Sequence, residues 1–192
     1  MKNFSGLVVS CLLLNSRSVI ASSDDPTAAL AIVNQARQAK GVQPLTWDPN
    51  LKTYAQLWAD EMGSGRQPFE HAPASYRPSQ GENLYEQSAG QCDAAYDNPL
   101  QTAMRAWLSQ ESLYTGQPIT TGHEPWLHWS QCMWSSTTRI GCARAYSISE
   151  PYKFFDVCRF APEGNINRFR AVLKENASLD QDEECGPAKG QI

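Results

Sequence analysis

The chain has three histidines, and two of them fall in one twenty-residue stretch, HEPWLHWSQCMWSSTTRIGC (123–142), which also carries three of the six tryptophans and two cysteines. Imidazoles among aromatic residues can ligate a transition metal, exchange protons with a substrate, or sit satisfied in a core. HEPWLH invites comparison with the H-E-x-x-H zinc motif, but that chemistry needs the two imidazoles four residues apart on one helical face. Here the spacing is one residue too long, and Pro125 opposes a continuous helix through the segment. His123 and Glu124 are therefore read as exposed loop residues with no role.

The remaining ionisable candidates are scattered along the chain. His71 lies in the loop-like FEHAPASYRPSQ, and Glu82 enters a short strand at ENLYE. Glu111 follows Trp107 by four residues, so a continuing helix would bring it onto the same face. A carboxylate at the edge of an apolar stripe needs a partner, a function or an end to the helix there. No G-x-S-x-G elbow and no cysteine beside a histidine marks an activated nucleophile.

These side chains depend on elements that the sequence punctuates clearly. DDPTAALAIVNQARQAKG (24–41) reads as a helix with Asp25 as N-cap, Pro26 at the first helical position and Gly41 as the stop. DPNLKTYAQLWADEMG (48–63) repeats the pattern with Asp48, Pro49 and Gly63, and Leu51, Tyr54, Ala55, Trp58 and Met62 share one face. DNPLQTAMRAWLSQES (97–112) starts at Asp97 or Asn98 and aligns Leu100, Ala103, Met104, Trp107 and Leu108. TRIGCARAY and YKFFDVCRF read as strands joined by the turn SISEP. A hairpin centred near Glu150 sets Cys142 opposite Cys158, within disulfide reach.

The N-terminus reads as an export signal. A lysine, a short apolar run from Leu7 to Leu14 and a small-residue cleavage site after Ala21 form a cleaved leader over 1–21, too short to span a bilayer. Cleavage takes Lys2 and Arg17 from the 16 basic residues and none of the 20 acids, so the net charge moves from −4 to −6. Such a chain lacks the basic stripe that nucleic acid requires. Residues 22–166 form a single domain with no internal repeat. The tail, 167–192, is polar, acid-rich and mobile, and holds the glycosylation sequon Asn176-Ala-Ser. Five cysteines remain after the leader, and with Cys185 in the tail, elimination pairs Cys92 with Cys132.

Four motifs in order, GENLY (81–85), HWSQCMW (128–134), TRIGCARA (138–145) and FFDVCRFAPEGNI (154–166), resemble the signatures of the CAP superfamily: cysteine-rich secretory proteins, antigen 5 and pathogenesis-related class 1 proteins. The resemblance runs from about residue 26 to 166 and is nearest the fungal secreted branch. It implies an α+β fold, a three-layer α-β-α sandwich, in an extracellular protein. It also implies a cavity lined by two histidines and two glutamates, carried by motif onto His71, Glu82, Glu111 and His128. Trp129, Ser130 and Cys132 depart from the residues usual in the H-x-x-Q box, and Ala72 from the serine usual after the first histidine.

Two imidazoles and two carboxylates suit Zn²⁺, with proton transfer without metal and a purely structural polar cluster as the other readings. Family members bind sterols and fatty acids, and the sterol site is associated with an aromatic-containing loop between the third helix and the H-x-x-Q box. Here that loop is SLYTGQPITTGHEPWLHW (112–129), with Tyr114, Ile119, Trp126 and Trp129 as lipid-binding candidates. The resemblance thus points to a secreted binder of small lipids, sterols or fatty acids, with the metal cavity as a separate feature. Its competitors are a tetrad-dependent hydrolase and a protein ligand for an extracellular receptor.

Overall fold

A computed structural model describes residues 24–88 and 99–166. The expected leader, Cys92, the start of the third helix, the tail, Cys185 and Asn176 lie outside the described residues. The elements are α1 (Asp25–Ala39), β1 (Thr46–Trp47), α2 (Pro49–Gly63), β2 (Gly81–Ser88), α3 (Pro99–Ser109), α4 (Leu127–Met133), β3 (Arg139–Tyr146) and β4 (Lys153–Ala161). Two 3₁₀ turns, Ala74–Tyr76 and Gln110–Leu113, interrupt the connections.

The strands form one sheet in the order β1-β3-β4-β2, with β1 parallel to β3 and the other pairs antiparallel. Because side chains alternate along a strand, β3 and β4 send Ile140, Cys142, Cys158 and Phe160 to a core shared with α1 and α3. Ala143, Phe155 and Val157 go to the opposite core, under α2. Helices cover both faces, giving the expected sandwich. Cys142 and Cys158 are register partners and are joined by a disulfide, their Cα atoms 4.1 Å apart. At Gly141 any Cβ would run into the α2 backbone at Asp48 and Lys52, so glycine there sets how closely helix and sheet approach.

Both caps use aspartate, though one register differs from expectation. Asp48 caps α2, accepting from the N–H groups of Asn50 (2.8 Å) and Leu51 (3.3 Å). In α1 the cap is Asp24, which accepts from Thr27 N–H at 3.0 Å, and Asp25 is the first helical residue. The correction has a cause: the Asp25 carboxylate is committed elsewhere. It accepts from the N–H groups of Leu100 (3.0 Å) and Gln101 (3.1 Å) in the first turn of α3 and pairs with Arg144 on β3. One carboxylate therefore ties two helices to the sheet.

Arg37 does similar work at the other end of α1. Its buried guanidinium donates to the carbonyls of Gln43, Cys132, Trp134 and Thr137 at 2.7 to 3.0 Å, so it satisfies carbonyls left open where α4 ends. Burial lowers its pKa to about 10, which leaves it charged at neutral pH. Cys132 is a free, fully buried thiol here, while Cys92, its expected partner, lies outside the described residues. Helix α4 turns it inward against Asn83 Nδ2 and Met104 Sδ, and burial pushes its pKa up to about 12.

Candidate functional site

His71 stands in the loop after α2, held in place where Trp58 Nε1 donates to the Glu70 carbonyl at 2.9 Å. Its Nδ1 lies 2.6 Å from Oε1 of Glu82, which also accepts the Ala72 N–H at 3.0 Å. The other oxygen of Glu82 lies 2.6 Å from Nη1 of Arg159, its direct partner in the β2–β4 register. Neither side chain of that pair is exposed. Burial lowers the Arg159 pKa to about 10, and the charge of Glu82 opposes that fall. Glu82 is therefore a fixed carboxylate that orients His71, whose side chain is 56% exposed.

His128 lies in the first turn of α4. The Asn83 side chain donates to its carbonyl at 2.9 Å, and its ring lies 6.4 Å from that of Trp107. The Gln110 side chain holds it twice: Oε1 accepts the His128 backbone N–H at 3.2 Å, and Nε2 is 2.9 Å from ring Nδ1. Burial, and then the nearby His71, lower the His128 pKa. Gln131, three residues on, accepts the Gly164 N–H at 2.9 Å through Oε1. A Cβ on Gly81 would fall inside the Gln131 amide, which explains the glycine that opens GENLY.

His71, Glu82, Asn83, Gln110 and His128 line one cleft of about 390 Å³, closed on one side by His123 and Glu124. Glu111 is not among its lining residues. After Ser109 the helix tightens into a 3₁₀ turn, in which residues three apart eclipse. Gln110 therefore takes the cleft-facing position, while Glu111 turns outward and pairs with Lys40. The structure thus brings together three of the four residues of the expected tetrad and sets a glutamine amide beside them. The signal for Gln110 was its position three residues after Trp107, legible only once the helix is known to tighten.

The aromatic candidates form a cluster beside the cleft. Tyr114 packs against Trp126 at 4.9 Å and Trp129 at 4.7 Å between ring centroids. Both tryptophans are buried, while Tyr114 and Ile119 are half-buried. Leu127, His128 and Trp129 belong to α4, so the irregular loop is shorter than expected and spans 114–126. Gly116 and Gly122 take positive φ of 77° and 75° within it. Glu124, expected to have no role, is what folds the loop. It accepts the N–H groups of Thr120 (2.6 Å), Thr121 (2.7 Å) and Gly122 (3.0 Å), and the bonds from Thr121 and then Thr120 depress its pKa to about 2.

A profile of the cysteine-rich secretory protein family matches residues 30–160. The pathogenesis-related protein PRMS of Zea mays is 31% identical over 146 residues, covering 76% of this chain and 81% of that protein. Secreted protein RBT4 of Candida albicans is 33% identical over 135 residues, 69% of this chain and 33% of that longer protein. Among solved structures, BmVAL-1 aligns with a TM-score of 0.66 at 22% identity, over 77% of this chain and 81% of that one. NaASP2 with Zn²⁺ aligns at 0.64 and 19% identity, over 78% and 85%. At such identities the structural likeness concerns the fold alone. No described helix is long and apolar enough to cross a membrane.

Proposed function

Because the chain belongs to the cysteine-rich secretory protein family and has pathogenesis-related class 1 relatives, we propose that it is an extracellular binder of small amphipathic lipids, sterols or fatty acids. The observation that carries this reading is the Tyr114–Trp126–Trp129 cluster beneath the 114–126 loop. The same loop walls the polar cleft through His123 and Glu124, so apolar and polar surfaces adjoin. The apolar body of a ligand would lie against Tyr114 and Ile119, with its oxygen end towards the cleft. Secretion is in keeping with relatives such as the Candida protein.

Labelled cholesterol and oleate binding to the full-length protein tests the proposal. Tyr114→Ala should weaken binding roughly tenfold or more, since a buried aromatic contributes about 1.5 to 3 kcal/mol and each decade of affinity is about 1.4 kcal/mol. His71→Ala should weaken it far less, since only the oxygen end of the ligand would reach the cleft that His71 lines. The absence of saturable binding of either lipid by the native protein would overturn the reading.

A second reading, hydrolysis, draws on the His71–Glu82 contact. A carboxylate at Nδ1 leaves Nε2 as the basic atom, the arrangement that suits activation of water. Peptide or ester turnover lost in His71→Ala, with no lipid bound, would favour it.

A further inference from the structure

The two imidazoles of the cleft are not equivalent as ligands, and the difference lies in what meets Nδ1. A histidine that binds a metal through Nε2 normally gives its Nδ1–H to a carboxylate or carbonyl, which fixes the ring with the Nε2 lone pair outward. His71 meets that condition through Glu82. His128 has the Gln110 amide there instead, and which end of the amide faces the ring decides the tautomer.

Helix geometry settles the orientation. His128 is the second residue of α4, so its backbone N–H has no acceptor within the helix. Gln110 Oε1 supplies one at 3.2 Å. Turning the amide over would set its NH₂ against that N–H, donor against donor. With Oε1 committed to the backbone, Nε2 must donate to Nδ1 at 2.9 Å, and Nδ1 must be the unprotonated nitrogen. The neutral ring then carries its proton on Nε2.

The other potential ligands are engaged as well. Glu82 is shared between His71, the Ala72 N–H and Arg159, and Glu111 points away to Lys40. Among the described residues no three His, Cys, Asp or Glu side chains converge as a metal would require. The residues present do not fit the zinc shell that the family resemblance implies.

We infer that Gln110 locks His128 as the Nε2–H tautomer and so makes the cleft a hydrogen-bond donor site for an oxygen acceptor, closed to divalent zinc. The recognised group is a hydroxyl, carbonyl or carboxylate oxygen approaching His128 Nε2–H. This follows from the amide and the helix terminus alone and does not depend on lipid being the ligand.

The inference rests on one residue, so the test exchanges it. Gln110→Glu keeps an acceptor for the His128 backbone N–H and replaces the donor at Nδ1 by an acceptor, so the tautomer should invert. Nitrogen-15 NMR of the histidine rings, at a pH where imidazole is neutral, should report protonated Nε2 at His128 in the native protein and protonated Nδ1 in the variant. Zn²⁺ titrated alone by calorimetry should bind the variant about 10- to 100-fold more tightly than the native protein, the range over which such outer partners act on affinity. A protonated Nδ1 at His128 in the native protein would overturn the inference. So would native zinc binding that is lost in His128→Ala. The native NMR measurement decides the matter even if the variant folds poorly.

Discussion

Glu82 and Arg159 face each other across β2 and β4 as register partners, 2.6 Å apart, with neither side chain exposed to solvent. The pair lies directly beneath the cleft, and Glu82 spends its other oxygen on His71. A buried ion pair of this kind is weak evidence of net stabilisation, but removing one partner strands the other. Glu82→Ala should therefore cost about 3 to 5 kcal/mol in urea unfolding. His71→Ala should cost far less, because it leaves the Arg159 contact in place. Equal losses in the two variants would show that Glu82 matters to the fold only through His71.

Asp156 makes stability depend on pH in an unusual direction. It lies on β4 opposite Arg144 and Tyr85, and burial raises its pKa to about 8, with Arg144 opposing the rise and Asp25 adding to it. Arg144 itself pairs with Asp25. With the folded pKa above the unfolded value of 3.8, the native state holds a proton that the unfolded chain releases. The contribution is complete below about pH 4 and is lost as pH rises through about 8. Unfolding free energy should fall between about pH 4 and pH 8 and level off above that, by roughly 1.4 kcal/mol for each pH unit at the steepest point. Asp156→Asn should flatten that slope, and an unchanged slope would remove Asp156 as its source.

How much of this was legible in the sequence depended on whether the deciding interaction was local. The α2 boundaries followed from Asp48, Pro49 and Gly63, and the β3–β4 register followed from the turn near Glu150, because caps and hairpin turns are settled within a few residues. The Asp24–Asp25 doublet could not be resolved this way. Either aspartate can cap α1, and the choice falls to Leu100 and Gln101, some 75 residues on. Glu111 and Gln110 present the same difficulty. Residue spacing assigns faces only if the helix keeps its 3.6-residue period, and a single 3₁₀ turn exchanges the two.

Charge hidden in a central strand was equally hard to see. FFDVCRF reads as a strand, and only the fold shows that Asp156 points to the α1–α3 side and Arg159 to the α2 side of a strand buried on both faces. Their partners come from β2 and β3, so only the sheet order reveals them.

Cys132 should be chemically silent in the folded protein. Its thiol is fully buried and its pKa is pushed up to about 12, so almost no thiolate exists at neutral pH. Iodoacetamide applied to the native protein should leave Cys132 unlabelled, and the same reagent in denaturant should label it without prior reduction. Labelling that needs reduction even after unfolding would mean that Cys132 is bridged, as elimination from the sequence suggested.

The last expectation concerns Glu124, the residue that shapes the loop over the aromatic cluster. Its side chain gathers three consecutive backbone N–H groups, those of Thr120, Thr121 and Gly122, and Gly122 supplies the left-handed backbone that lets the loop turn there. The side chain is half-buried and bonds only within its own loop, so its loss should loosen the loop without unfolding the domain. Hydrogen exchange at residues 120–122 should accelerate in Glu124→Ala, while exchange in β3 and β4 stays unchanged. Because its pKa is depressed to about 2, the loop should keep its native protection factors down to about pH 3 and lose them only below that. If the 114–126 loop is the wall of a lipid site, the variant should also release lipid faster, with Tyr114, Trp126 and Trp129 still packed. Unaltered exchange at 120–122 would show that the glycines and prolines hold the loop without Glu124, and a faster loop with unaltered lipid release would place the lipid elsewhere.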